Sequence, residues 1–345
     1  MRAPVGARKD YPRRVQSVGP NAPDPQRRHW WRGPVGLAIR LAITAAAVYY
    51  LTVQIDLSRV PAAMARLSIT ALTLMVVLNY CSVYLGVVRW RLLLRSFGAA
   101  HMPSRWGLYR LYLVGLFYNT FLPGGVGGDA VRGVASREAF GDEGRAEGLV
   151  VVLVERIMGM SALLVVVACA TLAHPLPGIP ALGMMAALGL LAAGAAVVAL
   201  AMGPRIADAL PEPLGGLLRQ LPVPRNLLAF GAVLIASVAI HLMVAAGGHG
   251  LLHSMAVDAS LLASLTIIPL ASAMVFLPVS ISGLGFFEAA FVALYGLIGV
   301  AEYDALAACI GFRLCYLLVA ASGGLFAVLG KALDYAPASL PPAQR

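Results

Sequence analysis

Phe117-Tyr-Asn-Thr-Phe-Leu-Pro-Gly-Gly-Val-Gly-Gly-Asp-Ala-Val-Arg132 closes an apolar run with a proline, four glycines, an acid and an arginine. Proline and glycine at that density break a helix. At membrane depth, broken backbone is tolerated only where it is buried in protein or lines a wet cavity. The stretch therefore reads as the wall of a cavity inside a membrane protein. A second copy stands 155 residues later, where Leu277-Pro-Val-Ser-Ile-Ser-Gly283 repeats the outline of Leu122-Pro-Gly-Gly-Val-Gly-Gly128. Interrupted apolar segments in corresponding places of two halves are a pointer to a transporter binding site.

The solvent of the chain follows from composition. Its 345 residues are 60% hydrophobic and 12% charged, with mean hydropathy +0.82. A soluble domain is about 25% charged. Several windows have the length of about 20 residues needed to cross a bilayer as a helix. The expected fold is an all-α polytopic membrane protein with about 7–9 transmembrane segments. Two of its segments are broken or re-entrant hairpins, and their spacing points to an inverted repeat.

Net charge is +10, and the excess is local. Residues 1–33 hold eight Arg or Lys against two Asp and read as a disordered basic tail. The positive-inside rule keeps that tail in the cytoplasm, so no nucleic-acid partner is expected. Residues 34–333 form the membrane domain and 334–345 a short C-terminal tail. Arg outnumbers Lys 24 to 2, a bias associated with GC-rich bacterial genomes. The expected location is the bacterial cytoplasmic (inner) membrane, multi-pass. Cys81, Cys169, Cys309 and Cys315 all lie in apolar segments and read as small core hydrophobes.

Along the chain, spans are expected at Pro34–Ile55 and Ser68–Val88. Arg89 to Arg110 contains five Arg and no acid, which makes it cytoplasmic, with Trp90 and Trp106 in the aromatic belt. The broken segment Leu108–Gly128 follows and reads best as re-entrant, because residues 129–148 are polar. Further spans are expected at Leu149–Leu172, Ala181–Met202 and Leu227–Leu252. After the second broken segment, Leu261–Gly283, come the short Gly285–Val300 and the last span, Ala305–Leu329.

Ionisable groups at membrane depth are expensive unless paired or wet. Arg156 and Arg313 lie 157 residues apart, close to the offset of the two motifs. They are the leading ligand contacts, since arginine holds phosphate bidentately and keeps its charge. Asp129 and Arg132 stand at the rim of the first broken segment. Glu155 and Glu288 either pair an arginine to hold helices together or carry protons for coupling. Gly124, Gly125, Gly127 and Gly128, after Pro123, either form a backbone nest for an anion or permit close helix packing. Asn119 and Asn79 add amides. Pro278, Ser280, Ser282 and Gly283 are the second-motif counterparts. No cofactor is expected: the glycines lack the Lys-Ser/Thr of a P-loop, and His249 with His253 lacks a third metal ligand.

At these residues the chain resembles the lysylphosphatidylglycerol synthase transmembrane family, also called the flippase-like domain family. The matching pieces are Arg89-Trp-Arg91, Asn119 to Arg132, Glu155-Arg156-Ile-Met-Gly159, and Leu277 to Gly285 with Glu288. The resemblance implies a domain that moves, or helps move, an anionic or aminoacylated lipid between leaflets. Phe287 stands where the family usually has an arginine, removing one lipid-binding charge from the implied set. The chain ends soon after its last span, so lysyl-lipid synthesis by this chain alone is not expected. The reading is a lipid translocator rather than an enzyme, with anionic membrane lipids as partners and an envelope-biosynthesis enzyme as a further partner class. Its alternatives are a membrane-embedded transferase on a polyprenyl-phosphate lipid and a non-transporting envelope-assembly subunit.

Overall fold

The computed structural model describes residues 34–122, 127–140, 145–209, 211, 224–226, 228–276 and 283–329. Among them there is no strand. Of the first compact unit, Met1–Ile39, only the opening of helix α1 is described; the remaining helices belong to the second unit, Arg40–Arg345.

The described helices run α1 Pro34–Gln54, α2 Val60–Met64, α3 Ile69–Ser96, α4 Arg105–Phe121, α5 Gly127–Ala135 and α6 Arg145–Ala173. They continue as α7 Leu182–Ile206, α8 Leu228–Ser254, α9 Leu261–Ala273, α10 Phe286–Gly296 and α11 Glu302–Val328. Serine starts three of them. The hydroxyls of Ser68, Ser104 and Ser260 accept from the amides of Ala71, Gly107 and Ala263, satisfying a donor that the first turn leaves unpaired. Helix α10 starts differently. Gly285 has φ +82°, and Glu288 Oε2 accepts its N–H at 2.7 Å.

Among the described residues, four helices are long and apolar enough to cross a membrane: α3, α6, α8 and α11. A fifth counts if the bent pair Leu41–Gln54 and Leu57–Met64 is one span. The expected 7–9 crossings are therefore only partly met by length and composition. Among the described residues, Leu182–Val198 of α7 is a shorter apolar stretch, and α9 and α10 are shorter apolar helices of the same kind. Outward-facing Ile69, Leu172, Leu228 and Val328 are among the most exposed side chains, as expected where the solvent is lipid.

The two broken segments are helical hairpins. Helix α5 lies back along α4 so closely that a Cβ on Gly128 would fall 1.7 Å from the Gly115 carbonyl oxygen. Helix α10 lies back along α9: Tyr295 donates to Ser264 Oγ at 2.9 Å, and a Cβ on Gly283 would stand 2.9 Å from Val275 Cα. Each hairpin packs on two long helices. In the first hairpin, α5 meets α6 and α4 meets α11; in the second, α10 meets α11 and α9 meets α6. The same exchange relates α3–α4 to α8–α9 and α3–α11 to α8–α6, while α3 and α8 pack on each other.

Several expectations change. The second span does not end at Val88, because α3 runs on to Ser96. Trp90 is not in an interface belt but fully buried beside Leu93, Leu94 and Leu108, whereas Trp106 is 58% exposed. Cys309 and Cys315 are buried as expected, but Cys81 and Cys169 are exposed.

A charged cavity between the two hairpins

Glu155, 1% exposed in the middle of α6, gathers three other helices. Arg89 of α3 donates to its Oε1 at 2.7 Å, Tyr112 of α4 to the same oxygen at 3.1 Å, and Arg132 of α5 to Oε2 at 2.9 Å. The other faces of these arginines are also used. Arg89 donates to Ser237 Oγ on α8 at 2.9 Å, and the Arg132 guanidinium lies 4.5 Å from the Tyr112 ring centroid and 5.3 Å from that of Trp90. An unpaired charge here would face a desolvation cost of several kcal/mol, so the mutual pairing is what lets these groups be buried.

The network continues to the cavity through Asp129. Arg132 donates to its Oδ1 at 2.9 Å, and Arg156, on the turn next to Glu155, pairs with its Oδ2. Asn119 ties the hairpin's two arms: its Oδ1 accepts from the amides of Gly128 at 2.8 Å and Asp129 at 3.3 Å, and its Nδ2 donates to Asp129 Oδ1 at 3.2 Å. The second hairpin has a simpler arrangement. Arg313 of α11 pairs with Glu288 of α10, reaches the Gly283 carbonyl at 3.5 Å, and lies 5.0 Å from the Phe287 ring centroid. The missing arginine at position 287 is thus replaced by an aromatic face under Arg313.

These groups surround one cavity of about 350 Å³. Its lining includes Arg89, Arg132, Arg156 and Arg313 with Asp129, Glu155 and Asn119, and also the apolar Leu116, Val244, Phe287 and Phe312. Arg156 is 32% exposed and Arg313 15%, so both reach its open space more than the clamped Arg132 at 7%. Among the described residues, counting Arg89, Arg132 and Arg156 against Asp129 and Glu155, with Arg313 balanced by Glu288, leaves one positive charge in excess. Five charge-assisted pairs in a recess of low dielectric suit an anion that can replace a carboxylate partner.

The structure brings together Asn119, Asp129, Arg132, Glu155, Arg156 and Arg313 in this wall, with Glu288 and Gly283 behind Arg313. Pro123, Gly124, Gly125, Pro278, Ser280 and Ser282 lie outside the described residues. Gly128 shows the close-packing alternative. The Gly128 amide is already held by Asn119, and the residue's role is its close approach to Gly115. The sequence reading missed Arg89, Tyr112 and His241, whose Nε2 donates to the Gly159 carbonyl at 3.0 Å. A signal for Arg89 did exist. Asn79, Ser82, Gly86 and Arg89 recur at steps of three, four and three, a polar and small stripe on one face of an apolar helix. His249 stacks on His253 and bonds Ser264 at 3.1 Å. Among the described residues, no group of three or more His, Cys, Asp or Glu could hold a metal ion.

Apolar crossing helices, two hairpins and a buried arginine–carboxylate cavity define a multi-pass membrane protein with a polar recess between its halves. Residues 37–323 match the family described as lysylphosphatidylglycerol synthase TM region, and the chain belongs to that family. No curated protein matches it. The family joins the chain to membrane-lipid proteins.

Proposed function

We propose that this chain is a lipid translocator that moves an anionic or aminoacylated phospholipid, or another lipid phosphate, between leaflets. The observation that carries the reading is the surplus positive charge, among the described residues, of a cavity that is also lined by apolar side chains. A phosphodiester brings one negative charge and a hydrocarbon neighbourhood, and the cavity complements both. Arg156 and Arg313 would hold the phosphate from the two hairpins, each giving up part of its contact with Asp129 or Glu288. Glu155 would stay clamped between Arg89 and Arg132, so the carboxylates released for proton coupling are Asp129 and Glu288. Asp129 is engaged by two arginines, which makes it a poor general base and disfavours the transferase reading.

Alternating access would use the hairpins as two gates. The exchange pattern of helix contacts, together with the 156-residue spacing of the capping residues Ser104 and Ser260, supports an inverted repeat of α3–α6 on α8–α11. In that arrangement the site lies at the interface of the repeats. The arginines between Arg89 and Arg110 favour a cytoplasmic side for that end, with the N-terminus on the same side, in a bacterial inner membrane.

Leaflet exchange in liposomes tests the proposal. The full chain is reconstituted with fluorescent anionic or zwitterionic lipid, and the fraction protected from an external quencher is followed. The expected result is exchange of the anionic probe that is lost in Arg156→Ala and Arg313→Ala at unchanged protein abundance. Exchange that survives both substitutions overturns the assignment. Product formation from a lipid-linked sugar donor without exchange favours the enzyme.

A further inference from the structure

We propose a second anionic-lipid site, on the outer face of α3 and apart from the central cavity. It rests on the other arginine of Arg89-Trp90-Arg91. Two residues along a helix turn the side chain by about 200°. Arg89 therefore points inward to Glu155, while Arg91 faces away from it. There, Tyr84, Val88, Arg91 and Arg95 follow one another at steps of four, three and four, forming one stripe. Arg105, the first residue of α4, closes the far side. Together with Val87 and Leu92 they line a pocket of about 200 Å³ that shares no residue with the central cavity.

The charge of this pocket is unbalanced. Among the described residues, no carboxylate pairs with Arg91, Arg95 or Arg105. The Arg91 guanidinium is held in place, with Nη1 donating to the Pro103 carbonyl at 3.0 Å. Its Nε is buried and has no acceptor. Three arginines crowded together, one with an unsatisfied buried donor, are stabilised by an anion that accepts several hydrogen bonds at once.

The surroundings indicate which anion. Helix α3 is long and apolar enough to span the membrane, and Leu74, Val77 and Tyr84 are about half exposed on it. From Tyr84 to Arg95 the helix rises about 16 Å, so the stripe runs from acyl-chain surroundings to the headgroup level. Next to Arg105, the exposed Trp106 stacks on Tyr109 with ring centroids 5.7 Å apart, in keeping with aromatic residues at the interface. A lipid uses both parts of this surface, its phosphate among the arginines and an acyl chain along Tyr84 and Val88. A free phosphate would use only the arginines.

Native mass spectrometry of the full chain in mild detergent, titrated with phosphatidylglycerol or phosphatidylcholine, tests this. Arg95 and Arg105 are exposed, so R95Q/R105Q should fold. Each basic residue near a membrane surface contributes about fivefold in affinity. The double variant is therefore expected to lose one phosphatidylglycerol, bound about 25-fold more weakly, while R95K/R105K keeps it. Repeating the titration in an R156A background removes any lipid held in the central cavity and leaves the same difference. Equal phosphatidylglycerol retention by wild type and R95Q/R105Q overturns the proposal, as does equal retention of phosphatidylcholine. Displacement of the lipid by millimolar inorganic phosphate would assign the pocket to the free anion and overturn the lipid reading.

Discussion

Replacing Glu155 with glutamine removes the charge on which Arg89 and Arg132 converge. The side chain is 1% exposed and accepts three hydrogen bonds, at 2.7, 2.9 and 3.1 Å. Glutamine is the same size and keeps one acceptor oxygen. Its amide nitrogen, however, presents hydrogens to an arginine that also presents hydrogens. Breaking a buried pair from one side costs about 3–5 kcal/mol, because the other charge stays buried without a counter-charge. The retained oxygen puts the expected loss near the lower end, about 3 kcal/mol. At roughly 2–4 °C per kcal/mol for a chain of this size, the melting temperature of the detergent-solubilised protein should fall by about 6–12 °C. The double variant R89Q/E155Q removes the stranded charge together with its partner. It should be more stable than the sum of the single losses by about 2 kcal/mol. The readout is thermal melting of purified wild type, R89Q, E155Q and the double variant. Melting of E155Q within about 1 °C of wild type, or strictly additive losses, would refute the reasoning that Glu155 ties α3, α4 and α5 to α6.

Arg156→Ala is expected to weaken binding of an anionic lipid about ten- to hundredfold, the worth of one charge-assisted contact, with little change in melting; equilibrium lipid binding reads it. Gly128→Ala would put a methyl 1.7 Å from the Gly115 oxygen, backbone against backbone, so α5 must leave α4. A loss of at least about 3 kcal/mol is expected, seen as low abundance and early melting. Tyr295→Phe removes the 2.9 Å bond to Ser264 inside the second hairpin. It should cost about 1 kcal/mol of stability and leave lipid exchange intact, which separates packing effects from cavity effects.

The hairpins were legible because Pro123 with its glycines, and Pro278 with Gly283, stop helices wherever they stand. Asp129, Arg156 and Arg313 were legible because a charge in apolar sequence is conspicuous. Arg89 was not, for a definite reason. Counting positive charges along the chain treats Arg89 to Arg110 as one cytoplasmic segment, yet α3 continues through Ser96 and turns Arg89 inward. A rule about loops cannot separate two arginines two residues apart on one helix. One end of the glycine stretch has a partner distant in sequence: Asn119, one helical arm away, takes the amides of Gly128 and Asp129. Asn119 looked like a ligand donor because its amide had no visible partner in the sequence. The pairing of Arg313 with Glu288 was an open alternative at the sequence level, and a close contact between α10 and α11 decides it.

The two hairpins are held in different ways. Advancing 157 residues takes Glu155-Arg156 to Phe312-Arg313. The arginine is kept, and the clamping carboxylate becomes an aromatic ring. The first hairpin is accordingly seated on α6 by the ion pairs Arg132–Glu155 and Arg156–Asp129 and by the Tyr112–Glu155 hydrogen bond. The second is seated by Phe287 and Phe291 against Phe312, with ring centroids 5.5 and 6.5 Å apart, and by one ion pair. Parting buried ion pairs strands charges, whereas sliding aromatic faces past one another loses only contact area and a small geometric preference. If the hairpins are the gates of a lipid path, the costs are unequal: moving the second disturbs one ion pair, and moving the first disturbs two, Arg132–Glu155 and Arg156–Asp129, together with the Tyr112–Glu155 hydrogen bond. The first hairpin then serves as the fixed wall that keeps the cavity's positive charge in position. The second is the element whose displacement the fold can bear.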